Sequence, residues 1–400
     1  MRIAFSSPDF DAQFCRTLTA AGSGGSDLGE AYTVARHIVE GDRPSWYTQW
    51  LAMAGQARAA AYVSLTGSHV ASARAAFLRA GEYYRQSYYF LRHDLDDPRL
   101  HTAYHAHRDS FREAARLMTW PCTRAEIPYQ DTALAGYLVR PGNDSAARPT
   151  VIVPAGYDST AEAGYAETAF HAVSRGYNCL LVEGPGQGGV LYTQRLYFRH
   201  DYERVLTPVM DWLVRQAGVD DSRIALFGRS FAGYLALRGA TGEQRLAALV
   251  LDPAQYDFSA RLARMLGADL FGRVMSHDPT ADADLETRFT PGSSAHDDLM
   301  ARAVAHGAAR PAAYFRELAR FTARGLLERV SCPVLVMDAD DDFTSDGQAD
   351  EVHAALTGPR TRHHLTREEG TGGHCGGLGQ QRVHQIVFDW LDDTLPYPAR

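Results

Sequence analysis

The sequence predicts an α/β protein: a mostly parallel sheet flanked by helices, preceded by an all-helical block and interrupted by a helical insertion. Three observations carry this reading. Residues 28–118 show helical periodicity only. From residue 150 onward, short apolar runs of strand length alternate with stretches of helix length. One of those runs turns straight into a helix through Gly228-Arg229-Ser230-Phe231-Ala232-Gly233.

Taken in order, residues 1–28 end in a Gly/Ser-rich patch and read as a loosely ordered lead-in. Helices are expected near Tyr47–Leu65, Ala71–Leu91 and Arg99–Leu117, after the punctuating segment 41–50, in which Ser45 follows Pro44 as a helix start. Across Cys122–Arg140 the period switches to two, giving a hairpin with its turn near Gln130–Asp131. Strands follow at Thr150–Pro154, Tyr177–Glu183, Arg223–Phe227, Leu246–Leu251, Pro333–Asp338 and Arg362–Leu365. Between them lie helices near Ala161–Ser174, Tyr202–Gln216, Phe231–Gly239, Asp346–Leu356 and Gln380–Leu391. This organisation places a domain boundary near residue 120, with a helical domain at 1–120 and an α/β domain at 121–400. The insertion at about 254–330 lacks strand runs and is too long for a plain loop, so a helical lid is expected there.

Composition narrows the chemistry. A net charge of 40 − 48 = −8 disfavours nucleic acid or an anionic membrane as partner. Every one of the 40 basic residues is arginine, which excludes a Schiff-base lysine, a pyridoxal site and a Walker loop. Five scattered cysteines, never in C-x-x-C spacing, and no apolar stretch of spanning length read as reduced thiols in a cytoplasmic protein. His101 and His105 share a helix face, but the residues between them lack the glutamate of a metalloprotease motif, so no metal is expected there. Cys375, beside His374, reads more simply as a buried thiol than as a reactive one. The aromatic cluster Tyr83, Tyr84, Tyr88, Tyr89, Phe90 reads as helix–helix core ahead of a substrate-facing wall, although Tyr84 and Tyr88 are retained as candidate substrate contacts.

The strand–Ser230–helix turn matches a nucleophile elbow, in which glycines admit the crossing backbone; Ala232 stands where a second glycine is usual, and Gly233 comes one residue later. A serine of this kind needs an acid and a histidine later in the chain, in that order. The loop after the Pro333–Asp338 strand supplies Asp340, Asp341 and Asp342, of which Asp342 is the first choice, although acidic runs ordinarily face water. The glycine-rich loop before the last helix supplies His374. The oxyanion donors are expected at the backbone N–H of Phe231 and, after the close-approaching Gly156, that of Tyr157. These signals in one required order predict an α/β-hydrolase needing no cofactor.

The chain also resembles a known family: 2,6-dihydroxypseudooxynicotine hydrolase and the fungal yellowish-green heptaketide hydrolases. The resemblance rests on G-D-R-P-S-W-Y-T-Q-W at 41–50, F-L-R-A-G-E-Y-Y-R at 77–85, P-A-G-Y-D-S-T at 154–160 and E-G-P-G-Q-G at 183–188. L-Y-F-R-H-D-Y-E-R-V-L-T-P-V at 196–209, the elbow and G-T-G-G-H-C at 370–375 extend it over nearly the whole chain. It implies a triad carried by Ser230, Asp342 and His374, an N-terminal helical cap, and hydrolysis of a carbon–carbon bond beside a ketone. The implied partner is a small aromatic or polyketide-like molecule, with Asp257 and Arg261 the nearest lid candidates for contact, and a homodimer is left open. An esterase, a peptidase, an acyltransferase or cyclase, and a catalytically dead binding module are the alternatives.

Overall fold

A computed structural model describes residues 3–344 and 346–396. Its centre is an eight-stranded sheet in the order β1-β2-β4-β3-β5-β6-β7-β8. The strands are β1 (Cys122–Tyr129), β2 (Thr132–Val139), β3 (Arg148–Pro154), β4 (Asn178–Val182), β5 (Val219–Arg229), β6 (Ala248–Asp252), β7 (Val334–Ala339) and β8 (Arg360–Leu365). The β1–β2 hairpin is antiparallel and joins β4 in the same sense, whereas β4, β3, β5, β6, β7 and β8 run parallel. The interior strands read as unbroken apolar runs because helices cover both faces: β4 and β6 are buried at every position.

The N-terminal region is more ordered than its composition suggests. Residues 8–23 form the helix Pro8–Thr19 and a following 3₁₀ turn, correcting the lead-in expected there. The start signal was present: Ser7 precedes Pro8 at the first helical position, with Asp9 and Asp11 in the first turn. Phe10 and Phe14 fall one turn apart and pack with Phe5, Trp46, Trp50 and Phe90 into an aromatic core. That burial holds the segment against the helices Arg43–Thr66 and Val70–Tyr88. Asp11 accepts hydrogen bonds from the backbone N–H groups of Ile3, Ala4 and Phe5, closing the chain end over this core.

Between β6 and β7 the described chain is helical, with helices Phe258–Leu266, Ala268–Met275, Pro279–Arg288, Ser294–Ala303 and Pro311–Leu318. This insertion and the N-terminal helices both reach the carboxyl edge of the sheet, where the loops after β3, β5, β7 and β8 converge. In an open parallel sheet that edge is where ligands bind.

Candidate active site

At the end of β5 the chain enters the helix Ala232–Ala240 through Ser230, whose φ of +58° lies in the left-handed region that L-residues rarely adopt. The conformation is held from both sides: the Ser230 N–H donates to the Asp252 carbonyl at 2.7 Å, and the Gly233 N–H donates to the Ser230 carbonyl at 2.9 Å. A side-chain carbon at Gly233 would lie 2.1 Å from the Pro253 carbonyl oxygen, and one at Gly228 would lie 2.2 Å from that of Ala232. The close approaches therefore fall on Gly228 and Gly233, and a fully buried alanine fits at position 232.

The Ser230 hydroxyl lies 2.7 Å from His374 Nε2, and His374 Nδ1 lies 3.0 Å from both carboxylate oxygens of Asp342. Three side chains far apart in sequence thus form one hydrogen-bonded line. The neighbouring aspartates point elsewhere: Asp341 pairs with Arg367, and Asp340 accepts from the Arg367 N–H while bonding His364. Thr344, unremarked in the sequence, donates both its N–H (2.8 Å) and its hydroxyl (2.7 Å) to Asp342 Oδ1. Burial disfavours an imidazolium at His374, while the adjacent Cys375 sulfur and then the Asp342 carboxylate favour it, and the pKa rises well above the ordinary histidine value. The adjacent Cys375 is buried, its thiol pKa is pushed up, and its Sγ donates to the Asp252 carbonyl at 3.3 Å. A thiol so held is neutral, so Asp342 is the anion that matters to His374.

The loop after β3 passes directly beside the serine, with a side-chain carbon at Gly156 falling 3.4 Å from Ser230 Cβ. Among the described residues, no protein acceptor takes the backbone N–H of Tyr157 or of Phe231. Gln187 fixes the loop by donating to the Ala155 carbonyl, and Glu183 accepts from the N–H groups of Ala161 (2.9 Å) and Gly189 (2.7 Å). Arg229, the variable residue of the elbow motif, ties β5 to the histidine loop by donating to Gln380 Oε1 (2.6 Å) and the Cys375 carbonyl.

These groups open into a cavity of about 580 Å³, the size of a small-molecule site. Phe231, Phe258, Leu262, Phe315 and Leu318 give it an apolar lining. Its lining also includes the ion-paired residues Arg16, Asp158 and Glu167, with Arg16 bonding Asp158 at 2.8 Å and Glu167 at 3.0 Å. Tyr89 donates to the same Asp158 at 2.9 Å.

Of the expected contacts, Gly156 and Arg261 do line the cavity, although the Arg261 guanidinium is taken by the carbonyls of Thr344 and Phe343. Three expectations are corrected. Tyr84 is packed in the aromatic core of the N-terminal helices under Arg58. Tyr88 is 2% exposed and packs edge-on against Tyr104 and Tyr192. Asp257 caps the Phe258–Leu266 helix and pairs with Arg324, away from the cavity. The signal missed was the end of the helix: Tyr89, where α-helix gives way to a 3₁₀ turn, is the tyrosine turned into the cavity.

A family model described as Esterase FrsA-like matches residues 37–258. The chain is 32% identical to Hydrolase acrC of Aspergillus aculeatus over 423 residues, covering 96% of each. It is 30% identical to 20-hydroxy-prefusarin hydrolase FUS2 of Gibberella moniliformis over 424 residues, covering 99% of this chain and 98% of the relative. Among solved structures, 2,6-dihydroxy-pseudo-oxynicotine hydrolase superposes with a TM-score of 0.71 at 20% identity, over 95% of this chain and 96% of the other. AbyA5 follows at 0.62 and 16%, over 92% and 94%. The fold and the sequence likeness agree: this chain is a hydrolase of the FrsA-like esterase family, built on the α/β-hydrolase fold.

Proposed function

We propose that this hydrolase works through Ser230 as nucleophile, His374 as base and Asp342 as the group that orients and charges the imidazole, and that it cleaves a carbon–carbon bond beside a ketone in a small aromatic or polyketide-like substrate. The observation that carries the nucleophile reading is the 2.7 Å contact from Ser230 Oγ to His374 Nε2, continued at 3.0 Å to Asp342. The name of the FUS2 relative, a 20-hydroxy-prefusarin hydrolase, supports a secondary-metabolite substrate.

In this mechanism His374 takes the Ser230 proton as Oγ attacks the ketone carbon. The resulting oxyanion sits between the N–H groups of Tyr157 and Phe231; losing one such donor typically costs about 3–4 kcal/mol of barrier. The tetrahedral centre collapses by breaking its bond to the neighbouring carbon, whose electron pair leaves as an enolate delocalised onto an adjacent carbonyl or phenol ring. The His374 imidazolium protonates that carbon. A water then attacks the acyl ester as His374 takes its proton, the acid departs, and Ser230 recovers its hydrogen. The apolar lining removes water from a flat substrate and strengthens each of these electrostatic contacts.

The family match to an esterase model favours one second reading, in which the same acyl-enzyme forms from an ester. Turnover of 1-phenyl-1,3-butanedione, with acetate or benzoate identified among the products, against turnover of p-nitrophenyl butyrate, separates the two. Ester hydrolysis with no ketone cleavage across a panel of aromatic diketones would remove the carbon–carbon reading. Covalent labelling by a fluorophosphonate, mapped to Ser230 and abolished in His374→Ala, tests the nucleophile itself.

A further inference from the structure

The cavity is rich in guanidinium groups, and nearly all of them are already engaged. Arg16 is held by Asp158 and Glu167, Arg85 by Glu82, Arg92 by the Tyr89 carbonyl, Arg229 by Gln380, and Arg261 by two backbone carbonyls. Arg302 differs. It lies in the last turn of the Ser294–Ala303 helix and lines the same cavity as Ser230 and His374. Among the described residues its guanidinium makes no hydrogen bond and no ion pair. The acidic residues on its own helix that could have served it, Asp297 and Asp298, are instead paired with Arg43 at 3.5 and 2.7 Å. Its surroundings still favour the charge: burial opposes it, but Tyr314, Tyr89, Tyr157 and Asp158 lie near enough to hold its pKa above the ordinary arginine value. Two of those neighbours, Tyr157 and Tyr314, join hydroxyl to hydroxyl at 3.1 Å, and Tyr157 is also tied to the buried His306, so the hydroxyls beside Arg302 are held in place.

A guanidinium that is exposed, lines the same cavity as the serine and has five donors and no acceptor from the protein among the described residues is an anchor for a planar oxyanion. We propose that Arg302 binds an anionic oxygen group of the substrate, a carboxylate or the ionised enol of a 1,3-dicarbonyl, while the phenylalanine-lined part of the cavity takes the apolar body. The substrate class is thereby narrowed to acidic, ring-bearing molecules. The inference rests on the reading that this cavity is where substrate is cleaved, but its test does not require cleavage.

The test is calorimetric titration with 4-phenylbutyrate and its neutral isostere 4-phenylbutanamide, on the wild type, Arg302→Gln and Arg302→Lys. The wild type is expected to bind the acid about tenfold more tightly than the amide, the size expected for a hydrogen bond to a charged group. Arg302→Gln should bring that ratio to about one, and Arg302→Lys should keep part of it, since charge remains while the planar fork is lost. Equal affinity for acid and amide in the wild type, or a ratio unchanged in Arg302→Gln, would overturn the proposal. Titration with 1-phenyl-1,3-butanedione at two pH values identifies the source: affinity rising with the ionised fraction, and lost in Arg302→Gln, assigns the enolate, and a preference confined to 4-phenylbutyrate assigns the carboxylate. Fluorophosphonate labelling of Ser230 is independent of these titrations, so a failed nucleophile and a failed anion site are told apart.

Discussion

The two walls of the cavity are built on different principles. On the sheet side, backbone does the positioning: a left-handed Ser230, a glycine beside it, and N–H groups at Tyr157 and Phe231 with no protein acceptor among the described residues. On the helical side, side-chain charge does it: Arg16, Asp158, Glu167 and Tyr89 form a network joining the N-terminal helices to the loop after β3. In the proposed mechanism, backbone geometry serves an oxyanion that forms in the same place for every substrate, so it can be shared by many of them. A charged wall is suited to choosing among them, because replacing one side chain changes what the wall accepts without disturbing the elbow.

If the sheet wall carries the chemistry, its loss is the largest effect available. Ser230→Ala should lower kcat by about 10⁴-fold or more, and Asp342→Asn by a similar factor, with KM changed far less. The pH profile sharpens this. His374 must be neutral to accept a proton and its pKa is raised, so activity should fall as pH drops through a value on the alkaline side of the usual histidine range near 6.5. In Asp342→Asn that acid limb should move to lower pH; a limb that stays in place would separate His374 from Asp342.

On the helical wall the first expected effect is on stability. Burial alone would raise the pKa of Asp158, but Arg16 and Arg92 hold it well below the carboxylate range. A depressed carboxylate stabilises the fold above its unfolded pKa and loses that stabilisation as pH falls through the folded value. Asp158→Asn should therefore destabilise the protein at neutral pH by about 2–3 kcal/mol, between the values for exposed and fully buried pairs, as read by urea unfolding. A change confined to kcat, with stability intact, would move Asp158 from the wall into the chemistry.

Behind the elbow, Asp252 has the opposite sign. It is fully buried, neither carboxylate oxygen has a hydrogen-bond partner among the described residues, and Arg229 Nε stands 4.0 Å away. Burial pushes its pKa up to about 6. An acid whose folded pKa is raised costs stability above that value, and the cost disappears as pH falls toward the unfolded value near 4. The wild type should gain about 1.4 kcal/mol of stability from this group between pH 7.5 and pH 5, about half of its full cost. Glu183, pushed up to about 8 by burial, adds a gain of the same sign. In Asp252→Asn the gain should shrink to the part left by Glu183. An undiminished gain would mean that the orphaned carboxylate is solvated by water.

How much of this was legible follows the same division. The elbow, the histidine loop and the Gly156 turn were readable because backbone constraints leave short glycine-marked patterns. Asp342 could be ranked but not separated from Asp340 and Asp341 by sequence, since the choice is made by Arg367 and His364 drawing the other two away. The fold class was readable from periodicity, and the N-terminal helix would have been, had the Ser7–Pro8 start been given weight over the glycines that follow. The charged wall was not legible. Arg16, Tyr89 and Asp158 are brought together from well-separated positions, Arg16 and Asp158 lying 142 residues apart, and no local pattern marks Arg302 as the guanidinium left without a partner.

The tyrosines of the Val70–Tyr88 helix test the division where sequence reasoning was weakest. Tyr88 belongs to neither wall: its hydroxyl is buried with no hydrogen-bond partner among the described residues, and its ring is enclosed by Tyr104, His107 and Tyr192. An unsatisfied buried hydroxyl costs free energy, so removing it while keeping the ring should be neutral or stabilising by up to about 1 kcal/mol. Tyr88→Phe should thus leave kcat/KM within about twofold, against a larger loss for Tyr89→Phe, which removes a hydrogen bond to the wall residue Asp158. If Tyr88→Phe instead lowers kcat/KM tenfold with stability unchanged, its hydroxyl reaches the substrate through a movement of the helical region, and the wall would have to be redrawn one turn further into the helix.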